Sequence, residues 1–419
     1  MKILVIGNGA REHALVWKLR QNPRAEVYVA PGNAGTADIA HNLDISPTNL
    51  IALADSAEKL KVDLTVVGPE TPLALGITDL FRKRGLTIFG PSKAAAQIEA
   101  SKVFSRKLME KYGIPCARGA IFSSFDVARE HVLRHPLPIV IKADGLAAGK
   151  GVIIAKSSQE ALNALSDIMV KKVFGTAGDN VVIEECLTGK EVSLISFTDG
   201  KTIIPMVAAC DYKRIFDNDL GPNTGGMGSY SPPGFFDNKM REVTRKTILE
   251  PTIKAMSQED IPYQGVLYAG LMLTPAGPRV LEYNARFGDP ETQVILPRLK
   301  TDLASIFMAV LNSTLHQIDI QWKNDACVGV VIASAGYPAN YKTGLPITGL
   351  NDIDKDIIVF HAGTKSEGSR IVTSGGRVFT VTATGKNIAE ARDKVYANIT
   401  RIQFPGCQYR KDIALREIQ

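Results

Sequence analysis

Three short apolar runs near the start of the chain each stop at a turn. KILVI (residues 2–6) runs into GNG, Val27–Ala30 into PGN, and Leu64–Val67 into GPE. Helical patterns fill the gaps. Ala14, Leu15, Trp17 and Leu19 recur after the first run, and Ser46 with Pro47 reads as an N-cap and first helical position after the second. Strands alternating with helices imply right-handed crossovers and a parallel sheet. The turns leaving such strands open on one edge, so the three are predicted to face one crevice. Thr87–Phe89 completes the set, and the unit is placed at residues 1–99.

The first turn, GNGARE at residues 7–12, departs twice from the dinucleotide fingerprint. Glu12 stands where a third glycine belongs, and the second strand ends in Ala30-Pro31 with no acid to hold a ribose. The reading that fits best is a turn and helix N-terminus for a phosphate monoester, with Gly9, Arg11 and Glu12 beside it; a plain tight turn is the alternative. Gly32, Asn33 and Glu70, on the neighbouring turns, are candidates for the same substrate.

The 419 residues suggest about three domains. Apolar residues make up 45% and charged residues 22%, enough for large cores without staples. Five scattered cysteines with no CxxC point to a reduced, cytoplasmic chain. No apolar run has the length of a membrane span, and MKILVIGNG is too short for a signal peptide. A net charge of +6, spread evenly, argues against a nucleic-acid partner and suits a small anionic substrate.

The middle of the chain reads as a helix over 100–112, a strand Ile139–Ala143, the loop DGLAAGKG at 144–151, a strand Val152–Ala155, a helix capped by Ser157 and a strand Val181–Glu185. The loop is a poor P-loop. Only three residues separate Gly145 from Gly149, Gly151 follows Lys150 where Ser or Thr is needed, and a strand comes next. Between two strands, Gly149, Lys150 and Gly151 suit a flap over phosphates, with Lys142 just ahead of it; an ordinary hairpin loop is the alternative. Glu184 and Glu185 close their strand where an adenine and ribose can be received, or as a solvated strand end. A long loop is expected over 211–234. Within it, backbone N–H groups of Asn223, Thr224, Gly225, Gly226, Met227 and Gly228 are candidates to hold a carboxylate. A helix over 238–257 and strands over 265–274 and 279–286 follow. From Asp325 the runs VGVVIAS, DIIVF and VFTVTAT and a helix over 387–402 read as a small α+β cap.

LEYNARFGDPE, residues 281–291, places Glu282, Asn284 and Arg286 at alternate positions, hence on one face of a strand. Glu282 and Asn284 are hard oxygen ligands suited to Mg²⁺, which takes one or two protein groups plus nucleotide phosphates. Arg286 suits a carboxylate or phosphate. A surface ladder of polar residues is the bland alternative, but GDPE breaks the strand where a ligand face needs it. His131 and His135 have helical zinc spacing, but no acid joins them and Pro136 ends the helix, so a surface helix is expected.

GNGAREHA, APGNAGTA, VGPE, SKVFSRK, IKADGLAAGKGV, PNTGGMGSYSP and EYNARFGDPETQ, in this order, closely resemble the phosphoribosylamine–glycine ligase (glycinamide ribonucleotide synthetase) family of the ATP-grasp superfamily. The resemblance implies a doubly wound N-terminal α/β domain (1–99), a central ATP-grasp domain (100–324, with a lid at about 120–187) and a C-terminal α+β cap (325–419). It implies ATP, glycine and 5-phosphoribosylamine as substrates, Mg²⁺ or Mn²⁺ as metal, and a cytoplasmic monomer in purine biosynthesis. It assigns Lys102 and Lys142 to ATP phosphates, Glu184, Glu185 and Leu187 to an adenine hinge, and Glu191 to the ribose. Glu282 and Asn284 become the metal ligands. Asp211, Lys213, the 223–228 loop, Arg286 and Asp289 surround glycine and the amine. Many ATP-grasp enzymes carry a further acidic ligand on the preceding strand, whereas VLYAGLML here has none. A biotin-carboxylase-like enzyme and a non-catalytic nucleotide-binding module are the rival readings. The first lacks its own segments here, and the second would be expected to have lost Glu282 and Asn284.

Overall fold

The computed structural model describes residues 1–146 and 151–418. Strands β1 (Lys2–Gly7), β2 (Glu26–Pro31), β3 (His41–Asn42), β4 (Leu64–Val67) and β5 (Ile88–Phe89) form one parallel sheet in the order β3-β2-β1-β4-β5. Ile3, Leu4, Val5 and Ile6 are all fully buried, because helices cover both faces. The strand order reverses at β1, which puts the crevice beside the turns after β1, β2 and β4. The helix after β3 starts later than Ser46 and Pro47 suggest. It spans Leu50–Leu60, and Asn49, not Ser46, accepts the backbone N–H of Ala52. The Ser46 hydroxyl is engaged locally with Thr48.

The helix expected over 100–112 is split. Gln97–Ala100 and Lys102–Lys111 meet at an extended Ser101, whose hydroxyl caps the second helix at Phe104 N. The next unit is a sheet of β6 (Gly119–Phe122), β7 (Ile139–Ala143), β8 (Val152–Ala155) and β9 (Val181–Glu185) in the order β6-β9-β7-β8. Ala128 and Val132 from one helix and Ala161 and Leu165 from another seal one face against Ile139, Ile141 and Ile183.

The chain continues through β10 (Lys190–Thr198), β11 (Ile203–Pro205), β12 (Cys210–Asp211), β13 (Arg214–Phe216), β14 (Leu220–Asn223), β15 (Gly228–Ser231), β16 (Gly265–Thr274) and β17 (Gly277–Asn284). It ends with β18 (Ala326–Ala333), β19 (Ile357–His361), β20 (Thr364–Glu367), β21 (Arg370–Thr373), β22 (Arg377–Gly385) and the helix Ile388–Ile399. The antiparallel sheet β11-β10-β16-β17 backs the site. Gly270 faces Glu282 and Leu271 faces Val280, leaving Leu281 as an extra residue in a bulge. β17 stops at Asn284, short of the expected 286, because Ala285 N–H donates to Glu99 rather than to a strand partner. The long loop expected over 211–234 is instead largely paired. β13 and β14 form a hairpin, while β12 and β15 join the last sheet in the order β12-β15-β18-β22-β19. That sheet therefore takes two of its five strands from the middle of the chain. No helix among the described residues is long and apolar enough to cross a membrane.

Candidate active site

The N-terminal turns meet the GDPE segment directly. The Glu12 carboxylate lies inside the first turn, accepting Gly9 N–H at 2.6 Å and Arg11 Nε at 2.5 Å. A Cβ on Gly7, Gly9 or Gly68 would come within 3 Å of it, so the glycines are there to admit this carboxylate. Arg11 is buried and also donates through Nη1 to the Phe287 carbonyl. Within the turn read as a phosphate site, the Gly9 N–H is thus engaged by Glu12. Asn33 is likewise committed within the protein. Its amide donates to the carbonyls of Asn8 and His361, and its oxygen caps Thr36 N. Gly32, at φ +73, makes the tight turn that this cap needs.

Arg286 joins the two halves. Its Nε lies 3.1 Å from Glu70, and its Nη2 lies 3.0 Å from Glu99 and 3.2 Å from Asn284 Oδ1. Burial works against the Glu70 charge, but Arg286 and Arg11 outweigh it and hold the carboxyl down at about 2. Burial pushes Glu99 up, against the pull of Arg286. Most of the Arg286 fork is therefore occupied by protein acceptors, which makes it a bridge between domains as well as a candidate substrate contact.

Lys142 Nζ sits between Glu184 Oε2 (2.5 Å) and the carbonyl of Leu281 (2.8 Å), the residue the bulge leaves over. Arg106 approaches the same carboxylate at 3.3 Å. Glu184, expected at an adenine hinge, is thus a buried counter-ion for Lys142. Glu185 pairs with Arg118, and Leu187 follows the strand half-buried. Lys102 Nζ reaches the Gly145 carbonyl, and burial lowers its pKa. Gly151 accepts Ala143 N–H, closing the hairpin between β7 and β8. Gly149 and Lys150 lie outside the described residues.

The Glu282 carboxylate makes no hydrogen bond or ion pair among the described residues, although its backbone pairs with Gly270. Burial raises its pKa, but Lys213, Lys102, Lys142 and Arg286 together hold it below the usual range. A carboxylate ringed by cations yet paired with none, beside the Asn284 oxygen, fits a hard divalent ion that brings phosphates with it. No group of three His, Cys, Asp or Glu among the described residues forms a metal cage, and the His131 and His135 rings pack tilted against each other, centroids 4.5 Å apart.

Glu191, Ser193, Asp211, Lys213, Tyr268 and Gly270 line a narrow crevice, with no room for a water molecule as it stands. Lys213 Nζ lies 3.0 Å from Glu191 and 4.0 Å from Asp211. Burial opposes the Lys213 charge, but these acids hold its pKa well above the ordinary value. Burial lifts Asp211 to about 7, with Glu291, Glu191 and Glu282 adding to the lift and Lys213 opposing it. The 223–228 loop does not offer the free N–H groups expected of it. Thr224 and Met227 donate to the Lys213 and Tyr212 carbonyls, Gly225 to Tyr337 and Gly226 to Thr224. Asn223 closes β14 opposite Arg214, and Gly228 opens β15 opposite Val330. Asp289 is held by Arg377 at 3.1 Å and by Gln293 at 2.8 Å.

Sequence reasoning missed Glu99, Arg106, Ser193, Tyr268, Glu291 and Arg377. Glu291 lies inside the GDPE stretch and had a signal. Arg106 lies inside SKVFSRK and had one too; the others are ordinary residues of helices and strands, brought in by the fold.

Three family descriptions cover most of the chain: phosphoribosylglycinamide synthetase N domain over residues 1–99, its ATP-grasp (A) domain over 100–292 and its C domain over 327–416. A phosphoribosylamine–glycine ligase from Halalkalibacterium halodurans is 49% identical over 420 residues, covering 100% of this chain and 97% of its own. The crystal structure of phosphoribosylamine–glycine ligase from Thermotoga maritima matches with a TM-score of 0.85 at 33% identity, over 99% of this chain and 100% of that one. The biotin carboxylase domain of Hydrogenobacter thermophilus 2-oxoglutarate carboxylase, in complex with MgADP, matches at 0.75 and 16% identity, over 97% of this chain and 91% of that one. The last is a likeness of fold alone.

Proposed function

The chain belongs to the phosphoribosylglycinamide synthetase family of ATP-grasp ligases, and we propose that its site joins glycine to 5-phosphoribosylamine. ATP is consumed, and glycinamide ribonucleotide, ADP and phosphate are released, as a step of purine biosynthesis. A carboxylate is a poor acylating agent because its leaving group is oxide. Attack of the glycine carboxylate on the γ-phosphate turns that oxygen into a phosphate leaving group. The amine of phosphoribosylamine then attacks the glycyl phosphate.

Phosphoryl transfer needs charge neutralisation and alignment. Lys102, Lys142 and the flap residues Gly149, Lys150 and Gly151 face the phosphates in this reading, while Glu185, Leu187 and Glu191 receive the nucleoside. Mg²⁺ or Mn²⁺ held by Glu282 and Asn284 would neutralise phosphate charge. Arg286 aligns the carboxylate with what its guanidinium has left to donate. Asp211 is the better proton acceptor, since its pKa of about 7 suits a base at neutral pH, while Asp289 is pinned by Arg377 and Gln293. The N-terminal turns with Gly9, Arg11, Glu12, Gly32, Asn33 and Glu70 take the phosphoribosyl end. The acting form in this reading is a monomer. The five cysteines are all free, which supports a cytoplasmic setting.

The observation that carries the reading is Glu282, unpaired among the described residues and ringed by Lys102, Lys142 and Lys213. The test is phosphate release from ATP. It is expected to need glycine and phosphoribosylamine together and to ignore bicarbonate. With ¹⁸O in the glycine carboxylate, one labelled oxygen is expected in each released phosphate. Unlabelled phosphate would exclude the acyl-phosphate route.

A further inference from the structure

Asp211 and Lys213 both line the crevice, and Tyr212 between them does not. Successive side chains of an extended chain point to opposite sides. Tyr212 is 3% exposed and turns into a segment that follows the helix Ile388–Ile399, residues 410–416. Its hydroxyl accepts the Ala414 N–H at 3.0 Å. The guanidinium carbons of Arg410 and Arg416 lie 4.7 and 4.9 Å from its ring centre, within reach of a cation–π attraction. The Tyr212 backbone is fixed as well. Its N–H donates to the Gly228 carbonyl, and its carbonyl accepts the Met227 N–H.

Arg410 is buried and holds the chain on both sides of Lys213. On one side it faces the Tyr212 ring. On the other its Nη1 donates to the Arg214 carbonyl at 3.0 Å. Lys213 is the residue in between. A buried guanidinium is costly without partners, and two acids balance this one: Asp412 at 2.6 Å and Asp219 at 3.0 Å. Asp219 also pairs with Arg416 at 3.0 Å. It stands in the turn between β13 and β14, in the left-handed region at φ +55. Arg410 thus ties Tyr212, Arg214 and the hairpin turn to one point. None of these partners is a residue assigned to substrate, nucleotide or metal. Lys213, held from behind, is left to reach Glu191 at 3.0 Å and Asp211 at 4.0 Å.

We propose that Arg410, acting through Tyr212 and Arg214, is a positioning residue that sets the Lys213–Asp211 pair for the second half of the reaction. This rests on the ligase reading above, in which Asp211 takes the proton of the attacking amine. Formation of glycyl phosphate lies with other groups in that reading, Lys102, Lys142 and Glu282 among them. A shift of Lys213 and Asp211 therefore leaves glycyl phosphate forming and slows its capture by the amine. Water then adds its oxygen to the uncaptured carbonyl carbon, phosphate leaves, and glycine is returned. ATP is consumed without product.

The test measures phosphate and glycinamide ribonucleotide in one assay, with the full-length chain. The wild type is expected to release one phosphate per product. Arg410→Lys keeps a charge for the two acids and loses the planar fork that reaches Arg214. Tyr212→Leu removes the ring and leaves the Arg410 ion pairs in place. In both variants product formation is expected to fall about 10- to 100-fold and phosphate release far less, with the KM for ATP within about twofold. The ratio of phosphate to product then rises several-fold above one. Tyr212→Phe, which keeps the ring and loses the Ala414 contact, is expected to restore a ratio near one. Loss of folded enzyme lowers both readouts together, so the ratio separates positioning from stability. A ratio of one in folded Arg410→Lys, or in Tyr212→Leu where Arg410→Lys does not fold, overturns the proposal and leaves the ligase reading standing. Wild-type phosphate release that ignores glycine and phosphoribosylamine overturns both.

Discussion

Lys142 and Glu184 form a buried ion pair at 2.5 Å, on adjacent antiparallel strands, with the Lys142 ammonium also bound to the Leu281 carbonyl. Strand β9, which carries Glu184, and the bulge that frees Leu281 thus aim one lysine from two sides. Glu184→Gln removes the charge shared by Lys142 and Arg106. The expected loss is about 3–5 kcal/mol of stability, with a roughly tenfold rise in the KM for ATP. Urea denaturation and steady-state kinetics check the two halves. An unchanged KM for ATP would make the pair purely structural.

Glu282→Gln is expected to leave the fold intact, because no described residue depends on that carboxylate. Turnover should fall by about 10²- to 10³-fold, as for other losses of transition-state charge compensation. The check is kcat across a Mg²⁺ titration beside a circular dichroism spectrum. Unchanged turnover would remove Glu282 from the site.

Arg11 gives Nε to Glu12 and one Nη1 proton to Phe287, which leaves donors for a phosphate. Arg11→Ala should raise the KM for phosphoribosylamine about tenfold or more and that for ATP far less. The same substitution should lower the melting temperature by a few degrees, since it cuts a link between domains. An effect on ATP alone would move the phosphate site elsewhere.

His13 and His361 meet where the first helix packs on β19, and His13 Nδ1 accepts the backbone N–H of His361 at 2.9 Å. Burial, with His361 adding to it, lowers the His13 pKa to about 3, and burial lowers His361 to about 4. Both folded values lie below the unfolded 6.5, so the unfolded chain binds more protons on acidification. Stability is therefore full above pH 6.5 and falls as the pH drops toward 4, by about 1.4 kcal/mol per pH unit for each proton. Melting curves from pH 7.5 to 4.5 should show this slope, and His13→Gln should flatten it. An identical slope in the variant would assign the acid sensitivity to other groups.

The N-terminal sheet was legible because its apolar runs are short, continuous and closed by turn residues. Period and punctuation agree there. The face of Glu282 and Asn284 was legible for the same reason, from alternation on a strand. Arg286 was placed on the wrong footing. Alternation put it on the strand, whereas the strand ends at Asn284 and Arg286 reaches the same face by bonding Asn284. Glu99 and Arg377 were not legible because each finds its partner across a domain boundary, and nothing local marks them. The glycine loop misled in the opposite sense. Its composition advertises open N–H groups, but Tyr337 and the Lys213 carbonyl, out of sight of the local sequence, occupy the loop from both sides.

The sheet that mixes β12 and β15 with β18, β22 and β19 also sets an order of completion during synthesis. The ribosome delivers Asp211 and the 223–228 loop about a hundred residues before β18, the strand that pairs with β15. Until then β15 has an open edge, and the Arg377 that grips Asp289 does not yet exist. A nascent chain thus carries Lys102, Lys142 and Lys213 before it carries the residue that holds Asp289. The sheet behind Asp211 is therefore closed last, when β18 and then β22 arrive to extend the edge that β15 has held open.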